Sequence, residues 1–537
     1  MTALAWQAPQ EAPREAPPAP AAVPARRHQP RVLLAVSCLV AVLLALPLVF
    51  LLIEAPGSGL SDVRQLIFRQ LTAQLLWNTV RLTIVVTVLC AVLGTAAAWC
   101  VERTDLPGRR IWAVLVVVPL AIPDFVVSFG WNSLWSWVTG FRGAVLVMTL
   151  AVYPLVYLPV AASLRGADPG QEEVARSLGS GRVKTFVTIT LGQAKGAIAG
   201  GCLLVALLVL AEYGAFEILG YRTFTTEIFT EFHSYSFAGS CALSLVLVVF
   251  GLIVLAGEGG VNRSSVKVAR SGPMVQRQSP PQALGLLRWP VLAGFAALTV
   301  LALGVPVYAC IYWIADGQPQ GLSGGANVSM LSAAWHTGLY SGSAAALATV
   351  LAFPVALLAV RHPGGIRRLL ERSTYLVLAM PGVVIAFSLY YFTERYAGGF
   401  SDGTAPLLIV CYAIMFFPMA LVGVKASLAR APAGLEEVAR SLGQSKLSVL
   451  GRVTLRLTGP GLAAAFCLVF LEAVTELTAT LLLIPPSAQT LATQFWSYEQ
   501  NLSYSQAAPF ALVMILVAAL PTIVLGRFFD RSAHAER

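Results

Sequence analysis

Charge is what this sequence has least of. Asp, Glu, Lys and Arg make up 12% of its 537 residues, against 57% hydrophobic residues. Soluble domains carry about 25% charged residues, so a water-facing globular surface over most of the chain is excluded. Histidine is scarce as well: there are five, scattered, with no H-x-x-x-H pair. The eight cysteines, at 38, 90, 100, 202, 241, 310, 411 and 467, all lie in apolar runs, and none forms C-x-x-C. Neither a disulfide framework nor a metal site is therefore expected. No G-x-x-x-x-G-K-[ST] is present; Gly179 to Thr185 comes nearest but lacks the glycine before Lys184. It also follows no buried strand, so the geometry that cradles phosphate is missing. With no H-E-x-x-H, no G-x-S-x-G and no dinucleotide fingerprint, an enzyme is not expected, and no catalytic residue is assigned.

What the chain has is apolar length. Runs of 18 or more apolar residues point to an all-α polytopic membrane protein. Twelve spans are expected, at about 32–53, 80–101, 112–137, 143–164, 197–220 and 239–256, then about 288–314, 336–360, 373–392, 404–425, 460–483 and 507–527. Residues 1–30 are rich in Pro, Ala and Gln without periodicity, and are expected to form a disordered cytoplasmic tail. Arg26-Arg27 precedes an apolar run too long for a typical signal core, with no A-x-A site after it, so an uncleaved first span is expected.

Positive charge orients the spans. With both termini cytoplasmic, 30 of the 36 Lys and Arg fall on that side. The other side keeps Arg64, Arg69, Arg81, Arg142, Arg222 and Arg395. The net charge of +10 is thus topogenic, and no nucleic-acid partner is needed. The expected place is a plasma or bacterial inner membrane, with lipid around the bundle.

The chain repeats itself. EEVARSLG at Glu172–Gly179 recurs at Glu436–Gly443, an offset of 264 residues. Pro154 matches Pro418, Ser163-Leu164 match Ser427-Leu428, and Glu212 matches Glu476 in the same register. Trp77-x-Thr79 answers Trp335-x-Thr337, and Leu120–Pro123 answers Leu378–Pro381, at an offset of 258. This is an internal duplication. The expected organisation is a first six-span repeat over 31–256, a flexible cytoplasmic linker over 257–287 and a second six-span repeat over 288–531. Six spans are an even number, so both repeats point the same way and both octapeptides share one side of the membrane.

Each octapeptide predicts a short amphipathic helix and a turn. Glu172-Glu173 and Glu436-Glu437 suit a helix start. Val174, Ala175 and Leu178 make one apolar face, and Gly179 or Gly443 ends the helix. Elsewhere, Asp124, Glu212, Glu472 and Glu476 sit at or inside apolar runs. Carboxylates at such depth are costly, so they are candidates for a polar pathway. The alternatives are a place near the outer interface or bonds to backbone inside the bundle. Ile218–Phe237 and Ile484–Tyr504 mix aromatics with Thr and acids, as a membrane-interface belt does; a docking surface for an external partner is the alternative.

The octapeptides resemble the EAA loop of ABC-importer permeases, through Glu173, Ala175, Gly179, Ile189 and Leu191, and through Glu437, Ala439, Gly443 and Leu455. Val174 and Val438 replace the middle alanine; Gly192 and Arg456 replace the terminal proline. From about residue 60 onward the chain resembles fused two-repeat permeases of type I ABC importers. The stretch Glu212–Phe229 is similar to that of the ferric-iron permease branch. This resemblance implies a permease fed by an extracytoplasmic binding protein and driven by two copies of a separate ATPase subunit. Those subunits would dock on the two loops, at Glu172, Glu173, Ala175, Gly179 and at Glu436, Glu437, Ala439, Gly443. It implies that ATP is bound by the partner and that this chain holds no cofactor. Thiamine or polyamine permeases share the architecture. An ion-coupled secondary transporter and a membrane scaffold are the readings from other classes.

Overall fold

The computed structural model describes residues 31–57, 68–166, 169–234, 237–265, 282–317, 325–361, 374, 376–396, 398 and 405–535. The expected tail 1–30 lies outside them, as does 266–281 of the expected linker. The described residues are helical almost throughout, with one isolated bridge between Thr104 and Gln282 and no strand.

Eight of the described helices are long and apolar enough to cross a membrane, and ten spans result if two bent pairs each count as one. That is fewer than the twelve expected. The two others answer to Gly382–Tyr396, ahead of which 362–373 and 375 lie outside the described residues, and to Tyr504–Ala535, whose apolar sequence runs on past Ala519 to Leu525. The chain is a multi-pass membrane protein.

The bends have local causes. The expected span 112–137 turns by 90° between Ala121 and Asp124. Pro123 has no amide hydrogen to donate, and it holds Ile122 extended, at φ −96° and ψ 123°. The second pair, Ala405–Met415 and Phe417–Arg430, bends by 56° ahead of Pro418. The expected spans 197–220 and 460–483 are also interrupted. Leu191–Ala211 stops at Glu212 and a short helix restarts over Gly214–Ile218. In register, Leu455–Thr475 stops at Glu476 and restarts over Thr478–Leu483.

Between membrane helices no water is expelled on contact, so close backbone approach does the packing. Gln70–Arg103, Pro154–Arg165 and Leu191–Ala211 meet this way. A Cβ on Gly94 would lie 2.8 Å from the Val156 Cβ, and one on Gly201 would lie 2.7 Å from the Val156 Cα. The second repeat builds the same trio from Gly325–Arg361, Phe417–Arg430 and Leu455–Thr475, with Gly423 against Ala465.

The repeats are interlocked rather than side by side. Val40, Leu44 and Leu51 of the first helix, Arg31–Gly57, join a core formed largely by residues 340–488. Phe295, Val305 and Cys310, in the first helix stretch of the second repeat, join the core of residues 82–221. The sixth helices cross over too: Cys241 and Leu247 belong to the former core, Ala507 and Met514 to the latter.

Candidate functional site

The two octapeptides fold alike. Their helices are Pro169–Ser177 and Ala433–Ser441. Gly179 and Gly443 stand at φ +85° and +82°, the left-handed region that a side chain disfavours. Ser180 N–H donates to the Ala175 carbonyl at 3.0 Å, and Gln444 N–H to the Ala439 carbonyl at 3.1 Å. This six-to-one bond closes a helix in a Schellman turn, and it fixes why alanine and glycine stand four residues apart. Val174 and Leu178 are 59% and 80% exposed, and Val438 and Leu442 are 56% and 76% exposed. Large apolar side chains held out on a rigid turn, beside exposed Glu173 and Glu437, make a patch suited to a protein partner.

Glu172 and Glu436 do not share that exposure. Both are buried, Glu172 beside Arg103 and Glu436 beside Arg361. The duplication registers reach these partners, since Arg103 and Arg361 are 258 residues apart. The sequence alone gave no reason to join them to the loops.

The four deep carboxylates converge. Asp124 and Glu476 both lie within electrostatic range of Glu212 and of Glu472. The two helix breaks bring this about. A Cβ on Gly214 would sit 2.7 Å from Leu477 and 3.0 Å from Phe125, so the residues after Glu212, Glu476 and Asp124 touch. Each glutamate caps the helix that restarts after it. Glu212 Oε1 accepts from Ala215 N–H at 2.7 Å, and Glu476 Oε1 accepts from Ala479 N–H at 2.9 Å. Their carbonyls, freed by the break, accept from Thr225 and Thr480 hydroxyls at 2.5 and 2.6 Å. One carboxylate oxygen of each is thus committed to backbone, as one sequence alternative held, while all four side chains stay only half-buried.

The cluster is not symmetric. In the 258 register, Asp124 answers to Gly382, where a Cβ would lie 3.4 Å from Glu476 Oε1. Glu476 also faces a small cavity with Thr337, Tyr340, Ser341, Tyr412 and Thr490. Tyr412 and Thr480 share a hydrogen bond beside it. Sequence reading missed these hydroxyls, since their helices carry no polar periodicity. Among the described residues no group of three or more His, Cys, Asp or Glu is arranged to hold a metal ion.

At the opposite end from the loops, the Trp-x-Thr pairs gain a role. Thr79 Oγ1 accepts from Phe224 N–H at 3.4 Å, and Thr337 Oγ1 from Leu491 N–H at 2.9 Å. Each thus helps start a short helix, Phe224–His233 or Leu491–Gln500, that also carries its own Thr–Thr capping box. Phe229 and Trp496, in the stretches expected at the lipid interface, pack on buried Tyr213 at the repeat junction, 4.3 and 5.6 Å away between ring centroids.

The family model of the binding-protein-dependent transport system inner membrane component matches twice, over residues 91–264 and 343–535. The Fe(3+)-transport system permease protein FbpB 2 of Haemophilus influenzae is 36% identical over 504 residues, which is 94% of this chain and 99% of that protein. The ferric transport system permease protein FbpB of Actinobacillus pleuropneumoniae is 24% identical, over 84% of this chain and 70% of its own length. A putative ferric transport system permease protein, FbpB 1 of Haemophilus influenzae, is 24% identical over 81% of this chain and 74% of its own.

Proposed function

The chain belongs to the inner membrane components of binding-protein-dependent transport systems, and we propose that it is the permease of an ATP-driven importer of ferric iron. The match of 36% identity along 94% of the chain to a permease named for Fe(3+) supports the substrate. The paired loops carry the mechanism: one exposed, rigidly capped helix per repeat, each presenting the same acid-and-apolar face. Two copies of one ATPase subunit dock there, with Glu173 and Glu437 as charged contacts. The excess of Lys and Arg supports a cytoplasmic place for the loops and both termini. A loaded binding protein docks on the other side. ATP binds the ATPase subunits alone, and this chain contributes neither catalytic group nor cofactor site.

ATP-driven closure moves the loops and shifts the bundle between inward- and outward-facing states, provided that docking contacts differ between those states. Asp124, Glu212, Glu472 and Glu476 line the pathway. A cation meets acidic groups there rather than a closed cage, which favours entry without trapping, as conduction requires. The test is uptake of radiolabelled ferric iron into cells carrying this chain with its neighbouring ATPase and binding protein. Iron uptake abolished by an ATPase-inactive partner supports the reading. Uptake of thiamine or polyamine in its place, or iron uptake that survives the inactive ATPase, contradicts it.

A further inference from the structure

Glu172 and Glu436 stand in the same three-residue arrangement, drawn from the same three elements of each repeat. In the second repeat, Arg361 ends the helix Gly325–Arg361 and sets a guanidinium nitrogen 2.9 Å from Glu436 Oε1. Arg361 also donates to the Ala431 carbonyl at 2.9 Å, just ahead of the loop helix. Thr454 donates its hydroxyl to Glu436 Oε1 at 3.3 Å. In the first repeat, Arg103 ends Gln70–Arg103 and lies 3.7 Å from Glu172 Oε1, while the Thr190 hydroxyl donates to that oxygen at 2.8 Å. Both threonines are the last residue of a π-helical turn, Phe186–Thr190 in one repeat and Leu450–Thr454 in the other.

A short surface helix does not need a buried ion pair. Such a pair is costly to desolvate and adds little stability over apolar packing, so its recurrence in both repeats points to a geometry that it fixes. π-Turns within α-helices are likewise frequent at functional positions. The geometry has a destination. The helix that begins after Thr190 ends at Glu212, and the one after Thr454 ends at Glu476. A pull on either loop helix is thereby applied to the base of a helix whose far end is in the carboxylate cluster.

We propose that Arg103–Glu172–Thr190 and Arg361–Glu436–Thr454 are latches that transmit loop movement into the bundle, making Glu172 and Glu436 positioning residues rather than contacts for the ATPase. This rests on the docking of ATPase at the loops. The latches are unequal. The second is closed by direct hydrogen bonds. In the first, Arg103 Nη2 makes no hydrogen bond among the described residues, whereas Arg361 Nη2 makes two. Its backbone is held instead by the segment that leads into the second repeat: Gln282 N–H donates to the Arg103 carbonyl at 2.8 Å, and Asp105 N–H donates to the Gln282 carbonyl at 3.1 Å.

The test uses the complete complex with ATPase and binding protein in proteoliposomes. Arg361→Met is combined with Glu436→Gln, so that no buried charge is left alone. The expected result is that this pair keeps the ATPase on co-purification and keeps basal hydrolysis, while stimulation by loaded binding protein falls roughly tenfold. Arg361→Lys, which keeps the charge, recovers part of the stimulation. Arg103→Met with Glu172→Gln gives a smaller loss. Full stimulation in the Arg361/Glu436 pair overturns the latch and leaves a structural role. Loss of the ATPase from that pair overturns it too, by making Glu436 a docking contact. Retention of the ATPase by a Glu173→Ala/Glu437→Ala double variant is a separate result, read by co-purification alone, and it removes the docking reading instead.

Discussion

Adjacent glutamates in each loop have opposite surroundings, and their variants should differ accordingly. Glu173 and Glu437 are exposed. Losing a charged contact at an interface costs about 2–5 kcal/mol if the contact is buried and much less at the rim. Glu173→Ala and Glu437→Ala are each expected to weaken ATPase co-purification, by different amounts, and together to abolish it. Deeper in the bundle, Glu212→Gln and Glu476→Gln preserve an oxygen that can accept from Ala215 or Ala479 N–H, so both helix restarts should survive while the acidic group is lost. Iron flux in the double variant should fall with membrane expression unchanged. Wild-type flux would reduce these residues to helix caps. The carboxylates were legible because a charge inside an apolar run stands out. The capping role was not, because it depends on a break that hydropathy does not signal: Val205–Ala211 before Glu212 and Ala215-Phe216 after it are apolar.

The loop as an element was legible almost whole, since a charged pair, an apolar face and a terminal glycine are all local signals. Its structure adds the exposure of Leu178 and Leu442, which no local pattern decides. A valine at Gly179 or Gly443 is strained by about 1–2 kcal/mol in the left-handed region, with no neighbour within 4 Å to clash. Gly179→Val and Gly443→Val should therefore leave the protein in the membrane and impair ATP-driven uptake, most of all when combined. Normal uptake in the double variant would remove these turns from the mechanism. The two loops also differ beyond the octapeptide. Ser445 caps Lys446–Val449 by accepting from Ser448 N–H at 3.3 Å, whereas Gly181 at the matching place has no side chain to do so. Capping of this kind contributes about 1 kcal/mol. Ser445→Gly should bring the exchange of backbone amides over 446–449 toward that of 182–185, as measured by hydrogen–deuterium exchange.

At the scale of the whole molecule, the duplication was legible from identical octapeptides, while the exchange of first and sixth helices between the two cores was not. Which core an apolar helix joins is decided by close approaches such as Gly130 to Pro306, where a Cβ would lie 2.7 Å from the proline Cα. No pattern within either helix encodes its partner. The same limit applies to the bends: Pro123 and Pro418 are visible in the sequence, but how sharply each bends its span depends on what packs around it. The interlocking implies that the repeats do not fold as separable units, so a chain cut within 266–281 should yield a functional permease only when both pieces are made together. Orientation is open to direct measurement too. Single cysteines introduced at Ser180 and Gln444 should react with an impermeant thiol reagent only in inverted vesicles. The central claim is that this chain couples ATP hydrolysis by docked partners to ferric-iron import through both loops. The most direct measurement is ferric-iron uptake by proteoliposomes holding the chain, its ATPase and its binding protein, with ATP supplied on the loop side. Uptake that needs ATP and is lost in the Glu173→Ala/Glu437→Ala double variant is the expected result. Uptake by that variant at the wild-type rate, or uptake that an ion gradient sustains without ATP, would contradict the claim.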